Sequence, residues 1–369
     1  MSVHTEHREP LIRLAKRDDI PRARAWAIRA AAILLALVTG GLIIAGLGHN
    51  PIQVYASMVE GSLGKSRVLR ETVKKAIPLL GAAVAIAPAF KMKFWNIGAE
   101  GQILAGGIAA SYFALFWADS LPRPVLLVVM AAAGVLAGGL WGLIPAVFKA
   151  RWGTNETLFT LMLNYIVLGF VKYLQAGPWG PDLNANGYPK IPMFDAAALL
   201  PKALGVHIGW IIVLAVTALM FGYLKYSKQG YEIAVVGDSV GTARYAGMKV
   251  NRIVLRTVFL SACLIGLAAA FKVGTVGILS SSFTDDVGWT GVIVAWLSQL
   301  NTGAIFLVSA LISMLQHGST VAAATFAQVD SSFADMLQGA ILFLVLAADF
   351  LIRFKIVRTK KGGGENGNG

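Results

Sequence analysis

The chain runs to 369 residues, 56% apolar and 14% charged, with 40 glycines, a single cysteine (Cys263) and a formal net charge of +13. Water-soluble domains average about 25% charged residues, so this chain lacks the polar surface to cover a soluble globule. One cysteine excludes a disulfide scaffold.

A membrane-spanning helix takes about 20 residues, and the apolar content furnishes about ten of them. The first stretch, 22–48, begins basic and turns apolar from Ala30. Its apolar core is too long for a cleaved leader and no Ala-x-Ala site follows, so it reads as a retained anchor. Further apolar stretches lie at 76–90, 94–117, 125–148, 157–176, 208–225, 253–272, 288–300, 304–322 and 336–353. Two of them, 76–90 and 288–300, fall below the roughly 17 residues of a straight span. Either polar flanks extend them or they are half-depth helices. Non-helical backbone at such depth must be buried in protein or line a cavity. Broken spans are therefore where a transport route is expected.

With the N-terminus in the cytoplasm, alternation puts 22 of the 32 basic residues inside and 10 outside. Excess Lys and Arg belong on the cytoplasmic side, so this orientation is favoured. Lys65, Arg67, Arg70, Lys74 and Lys75 in the first outer loop run against it. An amphipathic helix lying on the membrane from about Gln53 to Lys75 would account for them. Residues 177–206 hold five of the thirteen prolines and read as an ordered, extended outer loop. The organisation is then a basic cytoplasmic N-terminus (1–29), a membrane domain (30–353) with a cytoplasmic connection at 226–252, and a cytoplasmic tail (354–369). The Gly/Asn-rich composition of that tail predicts disorder.

Ionisable residues within spans are costly and mark function, and few exist here. Asp349 stands four residues before Arg353, a helix pair near the cytoplasmic end. Lys172 and Lys272 read as cations snorkelling from outer helix ends. The histidines at 4, 7, 49, 207 and 317 show no metal spacing, and His317, beside Gln316, reads as an interhelical hydrogen bond. Gly64-Lys65-Ser66 resembles the end of a phosphate loop, but Val59 occupies the first glycine position. No catalytic residue, metal site or cofactor is predicted.

Three stretches say more than composition. In Phe94 to Gln102, the polar Asn96, Glu100 and Gln102 alternate with Gly98, Ala99 and Gly101. Small residues let helices approach closely, so these polar groups face protein or water. They form either a polar contact just inside the cytoplasmic face or the lining of a route. In Thr154-Asn155-Glu156-Thr157, Thr154 or Asn155 caps the next helix and Glu156 favours its positive end. Asn164, two turns on, needs a partner if buried. In Gly230 to Arg252, Asp238 reads as an N-cap and Gly247 as a stop, with two to three helical turns between. A helix this short is ordered only by docking.

These motifs, FWNIGAEGQILAGG (94–107), TNETLFTLMLNYI (154–166), GDSVGTARYAGM (237–248), GWTGVIVAWL (288–297) and LQGAILFLVLAADF (337–350), occur together and in order. The chain resembles the larger permease subunit of bacterial ABC importers for nucleosides or simple sugars, in the ribose-permease-like superfamily. It departs from that family at Asp238-Ser239-Val240-Gly241-Thr242, where Asn-Pro-x-Ala is common, and at Leu297 to Asn301, where a Gly-Arg pair is usual.

The resemblance implies an all-α polytopic membrane protein of about ten transmembrane segments, some broken or short, with a cytoplasmic coupling helix. Asp238, Ala243, Arg244, Tyr245 and Gly247 would form that helix and dock on a cytoplasmic ATP-binding subunit. An extracytoplasmic substrate-binding protein and a second permease subunit, paired as a heterodimer, are the other implied partners. Membrane lipid surrounds the chain, nucleic acid has no part, and the setting is the bacterial inner membrane with both termini cytoplasmic. Transport would proceed by alternating access, with Asn96, Glu100, Gln102, Asn164 and Trp289 at or near the route. The rivals are a permease for branched-chain amino acids, a stand-alone ion-driven transporter and a membrane enzyme. Scarce buried carboxylates weigh against the last two.

Overall fold

Lipid offers the backbone no hydrogen bonds, so apolar runs must close on themselves as helices. The structure, a computed structural model, describes residues 12–16, 21–180, 182–183, 187–326 and 329–358. Its helices are α1 (Arg22–Gly46), α2 (Pro51–Leu63), α3 (Ser66–Lys91), α4 (Ala99–Phe116), α5 (Arg123–Trp152), α6 (Glu156–Ala176) and α7 (Gly209–Tyr226). After them come α8 (Lys228–Asp238), α9 (Val240–Tyr245), α10 (Val250–Val276), α11 (Val287–Leu297), α12 (Thr302–Thr325) and α13 (Phe333–Arg353). Six short strands accompany them: β1 (Ile12–Lys16), β2 (Asp182–Leu183), β3 (Pro189–Lys190), β4 (Lys202–Ala203), β5 (Val206–His207) and β6 (Phe354–Arg358). The fold is all-α in its membrane part. Among the described residues, eight helices are long and apolar enough to cross a membrane: α1, α3, α5, α6, α7, α10, α12 and α13.

The two remaining apolar segments are α4 and α11, which changes one expectation. Segment 76–90 is not short: polar residues from Ser66 onward extend it into the 26-residue α3. Segment 288–300 is short, with only 11 helical residues in α11. The surface helix expected over Gln53 to Lys75 is instead two helices, α2 and the start of α3, broken at Gly64 and Lys65. The Thr72 hydroxyl ties the two by donating to the Ser62 carbonyl at 2.8 Å.

The chain divides into two compact units, Met1–Tyr55 with Phe326–Gly369, and Ala56–Thr325. In the first, α1 packs along α13, and β1 pairs antiparallel with β6, Ile12 opposite Arg358. The segment expected as a disordered tail thus begins with a strand at 354–358; 359–369 lie outside the described residues. Asp349 takes its ion pair from Arg29 at 2.8 Å. Its expected partner Arg353 has a side chain outside those described.

The second unit is built on glycine. Gly134, Gly138 and Gly142 recur every fourth residue on α5, so they lie on one face. They meet Ala270, Gly266 and Ala262 of the antiparallel α10 in turn. A Cβ on Gly138 would stand 2.7 Å from the Gly266 Cα, and one on Gly134 would stand 2.9 Å from the Ala270 Cβ. Gly106 of α4 joins the same node, 3.0 Å from the Gly266 Cα by that measure. Helices that associate in lipid do so through such close backbone approach.

The loops of this unit gather at two ends. At one, Phe194 and Leu200 of the proline-rich loop donate to the Gly277 and Gly274 carbonyls at 2.8 Å each, and Arg123 donates to the Leu199 carbonyl at 3.0 Å. The expected ordered loop is present, held by the end of α10 and two small hairpins, β2–β3 and β4–β5. His207 of β5 is buried, with neither ring nitrogen partnered among the described residues. Burial, aided by Lys74, pushes its imidazole down to about 4, so it is neutral at pH 7. At the other end lie 91–98, 149–156 and 226–252; Asn251 donates there to the Ala150 carbonyl at 3.0 Å.

Overpacking a close-packed contact costs about 1–3 kcal/mol. Gly138→Leu is expected to lower the melting temperature of the detergent-purified protein or to abolish its accumulation in membranes. An unchanged melting temperature would show that α5 and α10 are not this close.

Candidate functional site

The first four N–H groups of a helix have no partner within it, and inside lipid water cannot supply one. α4 begins in the protein interior, and the first turn of α11 packs there behind the exposed Asp285 and Asp286. Neither N-cap side chain caps its own helix. Gly98 has no side chain to offer α4, and Asp286 makes no capping bond to α11. The caps come from other helices. Asn164 of α6 accepts from the Gly101 N–H at 2.9 Å and donates to the Ile97 carbonyl at 3.0 Å. Glu100 of α4 accepts from the Gly288 N–H at 2.9 Å, in the first turn of α11. Its carboxylate also takes the Thr284 hydroxyl and faces the positive end of the α11 dipole.

Asn96 closes the turn before α4. Its amide and that of Gln102 bond reciprocally at 3.3 and 3.2 Å, and its oxygen accepts from the Gly98 N–H at 3.0 Å. Asn96 is 0% exposed and Gln102 1%. Gly142 and Ala262 flank Gln102; a Cβ on Gly142 would stand 2.8 Å from the Gln102 amide nitrogen. Ala262 lies about 18 Å along α10 from its start at Val250, at 1.5 Å per residue. The polar cluster therefore lies inward of the end that carries Lys93, packed among α4, α5 and α10. The non-helical turn 92–98 leads to it, with Met92, Phe94, Asn96 and Gly98 buried and Lys93 and Trp95 exposed.

Trp289 is half-buried on the first turn of α11, beside this cluster. Its neighbour Thr290 accepts from Gln316 of α12 at 3.5 Å. Gln316 makes this interhelical bond; His317 Nδ1 has no partner among the described residues. Below the cluster, Trp95 and Trp296 stack with centroids 5.2 Å apart, and Phe90 packs against both. Both tryptophans lie inside sequence motifs noted above, but nothing local announces that they touch.

Lys272 was also misplaced by its position near a helix end. It does not snorkel: it is 6% exposed, and its ammonium donates to the Thr284 carbonyl at 2.7 Å and to Asp285 at 2.8 Å. Lys172 is exposed, as a snorkelling cation should be.

The second group of residues singled out in the sequence forms a knob at the end that holds 91–98. Ser239, not Asp238, caps α9, accepting from the Thr242 N–H at 3.2 Å. Asp238 is the last residue of α8, and only the extended Ser239 separates the two helices. Gly247, at φ +76°, ends the segment. Ala243 is 0% exposed, in the apolar cluster that holds Met92 and Phe94, whereas Arg244 is exposed and Tyr245 is 97% exposed. Gly237 sits on the Lys91 carbonyl, where any Cβ would collide, and Lys93 donates to the Asp238 carbonyl at 3.5 Å. At the same end, Asn155 caps α6, accepting from Thr157 and Leu158, and Lys149 pairs with the buried Glu156 at 2.7 Å.

Glycine packs α5 on α10, and side chains from their neighbours cap α4 and α11. The eight helices long and apolar enough to cross a membrane make this a multi-pass membrane protein. The comparisons give the family. Residues 69–346 match the family described as "Branched-chain amino acid transport system / permease component", and the chain belongs to it. It is 30% identical to the guanosine ABC transporter permease protein of Bacillus subtilis, over 90% of this chain and 96% of that one. It is 26% identical to the glucose ABC transporter permease protein of Haloferax volcanii, over 94% and 93%. With the nucleoside ABC transporter permease protein of Lactococcus lactis subsp. cremoris it shares 28% identity, over 89% and 92%. The chain is a permease component, which carries no catalytic step of its own and implies an ATPase and a binding protein as partners.

A buried amide stripped of its partner costs about 1–3 kcal/mol, while removing both partners costs less. Gln102→Leu and Asn96→Leu should each destabilise the purified protein more than half as much as the double variant. Strict additivity of the two melting-temperature losses would show that the amides do not depend on each other.

Proposed function

We propose that this chain is the membrane-spanning permease of a bacterial inner-membrane ABC importer for nucleosides or simple sugars. The printed names of its relatives support the solute class. The positive-inside count supports cytoplasmic placement of the end that carries 91–98, 149–156 and 226–252, and of both termini. In this reading a second, related permease completes the pore as a heterodimer, and an extracytoplasmic protein delivers solute.

The observation that carries the mechanism is the exposed α9 knob. Arg244 and Tyr245 face outward, where an ATP-binding subunit would hold them. Ala243, Gly237 and Asp238 grip the turn 91–94 from behind. That turn leads within two residues to Asn96 and within five to the start of α4 at Ala99. A push on α9 would thus reach the buried junction through a short, close-packed lever, and it moves the pore only if contacts differ between the two states. Asn96, Glu100, Gln102 and Asn164 spend their hydrogen bonds on shaping the wall of the route. Trp289, half-buried, offers an aromatic face to a sugar or base.

Uptake of labelled guanosine, uridine, ribose, glucose and leucine in cells with and without the gene tests the solute class. Loss of a nucleoside or sugar is expected; loss of leucine alone would favour the branched-chain amino acid reading. Arg244→Glu and Gly237→Val should each cut that uptake about tenfold or more, the first by weakening association with the ATPase through charge reversal. Normal uptake with normal co-purification in both variants would overturn the coupling role.

A further inference from the structure

We infer that Lys272 is a positioning residue of the transport route: through Asp285 and Thr284 it clasps the first turn of α11, and with it Trp289, against α4 and α10. This rests on the importer reading above only for what the clasp closes. The connector between α10 and α11 leaves at Gly277, φ +73°, and enters α11 through Asp285 and Asp286, at φ +44° and +55°. Two successive non-glycine residues in the left-handed region stay there only when their surroundings hold them.

Lys272 supplies the hold. It takes the Thr284 carbonyl at 2.7 Å, immediately before the aspartates, and the Asp285 carboxylate at 2.8 Å. Its ammonium also lies 5.9 Å from the centre of the Phe283 ring. The Thr284 hydroxyl in turn reaches Glu100, which caps Gly288. One chain of bonds therefore runs from α10 through the connector to the starts of α4 and α11.

The two ends of the clasp differ in a way that lets it open. The Lys272 side chain is 6% exposed, whereas that of Asp285 is 76% exposed. Asp285 can leave the pair without passing through the protein, while Lys272 stays inside near Glu100. A pair of this kind is a weak source of net stability, because desolvation offsets the attraction. Its geometry instead fixes where α11 begins.

The test reads the clasp without any transported solute. Trp289→Cys is made in a Cys263→Ser background, and the detergent-purified complex, open on both faces, is labelled with a hydrophilic maleimide. Losing a charge-assisted bond should raise the rate of exposure about tenfold or more. Adding Asp285→Asn should therefore speed labelling by that factor with little change in melting temperature. Lys272→Met should do the same. Because Lys272→Met strands carboxylates and can lower the yield of folded chain, Asp285→Asn, at an exposed position, decides. Labelling within twofold of the background in Asp285→Asn, or none in either protein, overturns the clasp. Failed uptake of the solute panel with faster labelling would overturn the solute reading and leave the clasp standing.

Discussion

A helix whose first turn is buried among other helices must have its first N–H groups met by protein, and α4 and α11 of this chain have such first turns. Everything specific about the polar residues at its centre follows from that requirement. Glu100 and Asn164 sit where α11 and α4 begin, and each supplies an acceptor that the local N-cap residue lacks. A carboxylate buried there would be costly alone. Here it is met by a backbone N–H, a hydroxyl, a helix dipole and the neighbouring Lys272 ammonium.

The close packing around the junction serves the same end. Gly288 lies against the backbone and carboxylate of Glu100, and Gly101 against Asn164, so that the capping groups can reach. The glycine stripe of α5 brings its backbone onto α10, and Gly142 leaves room for the Gln102 amide beside Ala262. Two peripheral segments, the knob of α9 and the connector at 277–286, each touch the junction from one end. The first holds it through the turn 91–94 and the second through Lys272.

Local features of the site were legible in the sequence. Asn155 before an apolar run is a cap, Gly247 after a short polar-faced segment is a stop, and 288–300 is too short to span. Features that depend on distant partners were not. Gly288 is 188 positions from the carboxylate that caps it, and no spacing rule relates the two. Segment 76–90 looked short because its polar extension, Ser66 to Lys75, breaks the apolar run without breaking the helix. Lys272 was assigned to water because cations near helix ends usually reach it; its partners, Thr284 and Asp285, lie in a connector whose path only the fold determines. Asp238 and Ser239 are both good caps in isolation; α8 runs through Asp238, which leaves Ser239 to cap α9.

The most direct measurement is hydrogen–deuterium exchange of the purified protein with and without Glu100→Ala. Loss of a cap that also satisfies a buried N–H is worth about 1–3 kcal/mol. Exchange should therefore accelerate by about tenfold or more within 287–297 and stay unchanged in α5 and α10. Unchanged exchange at 287–297 would contradict the assignment of Glu100 as the cap on which the buried junction depends.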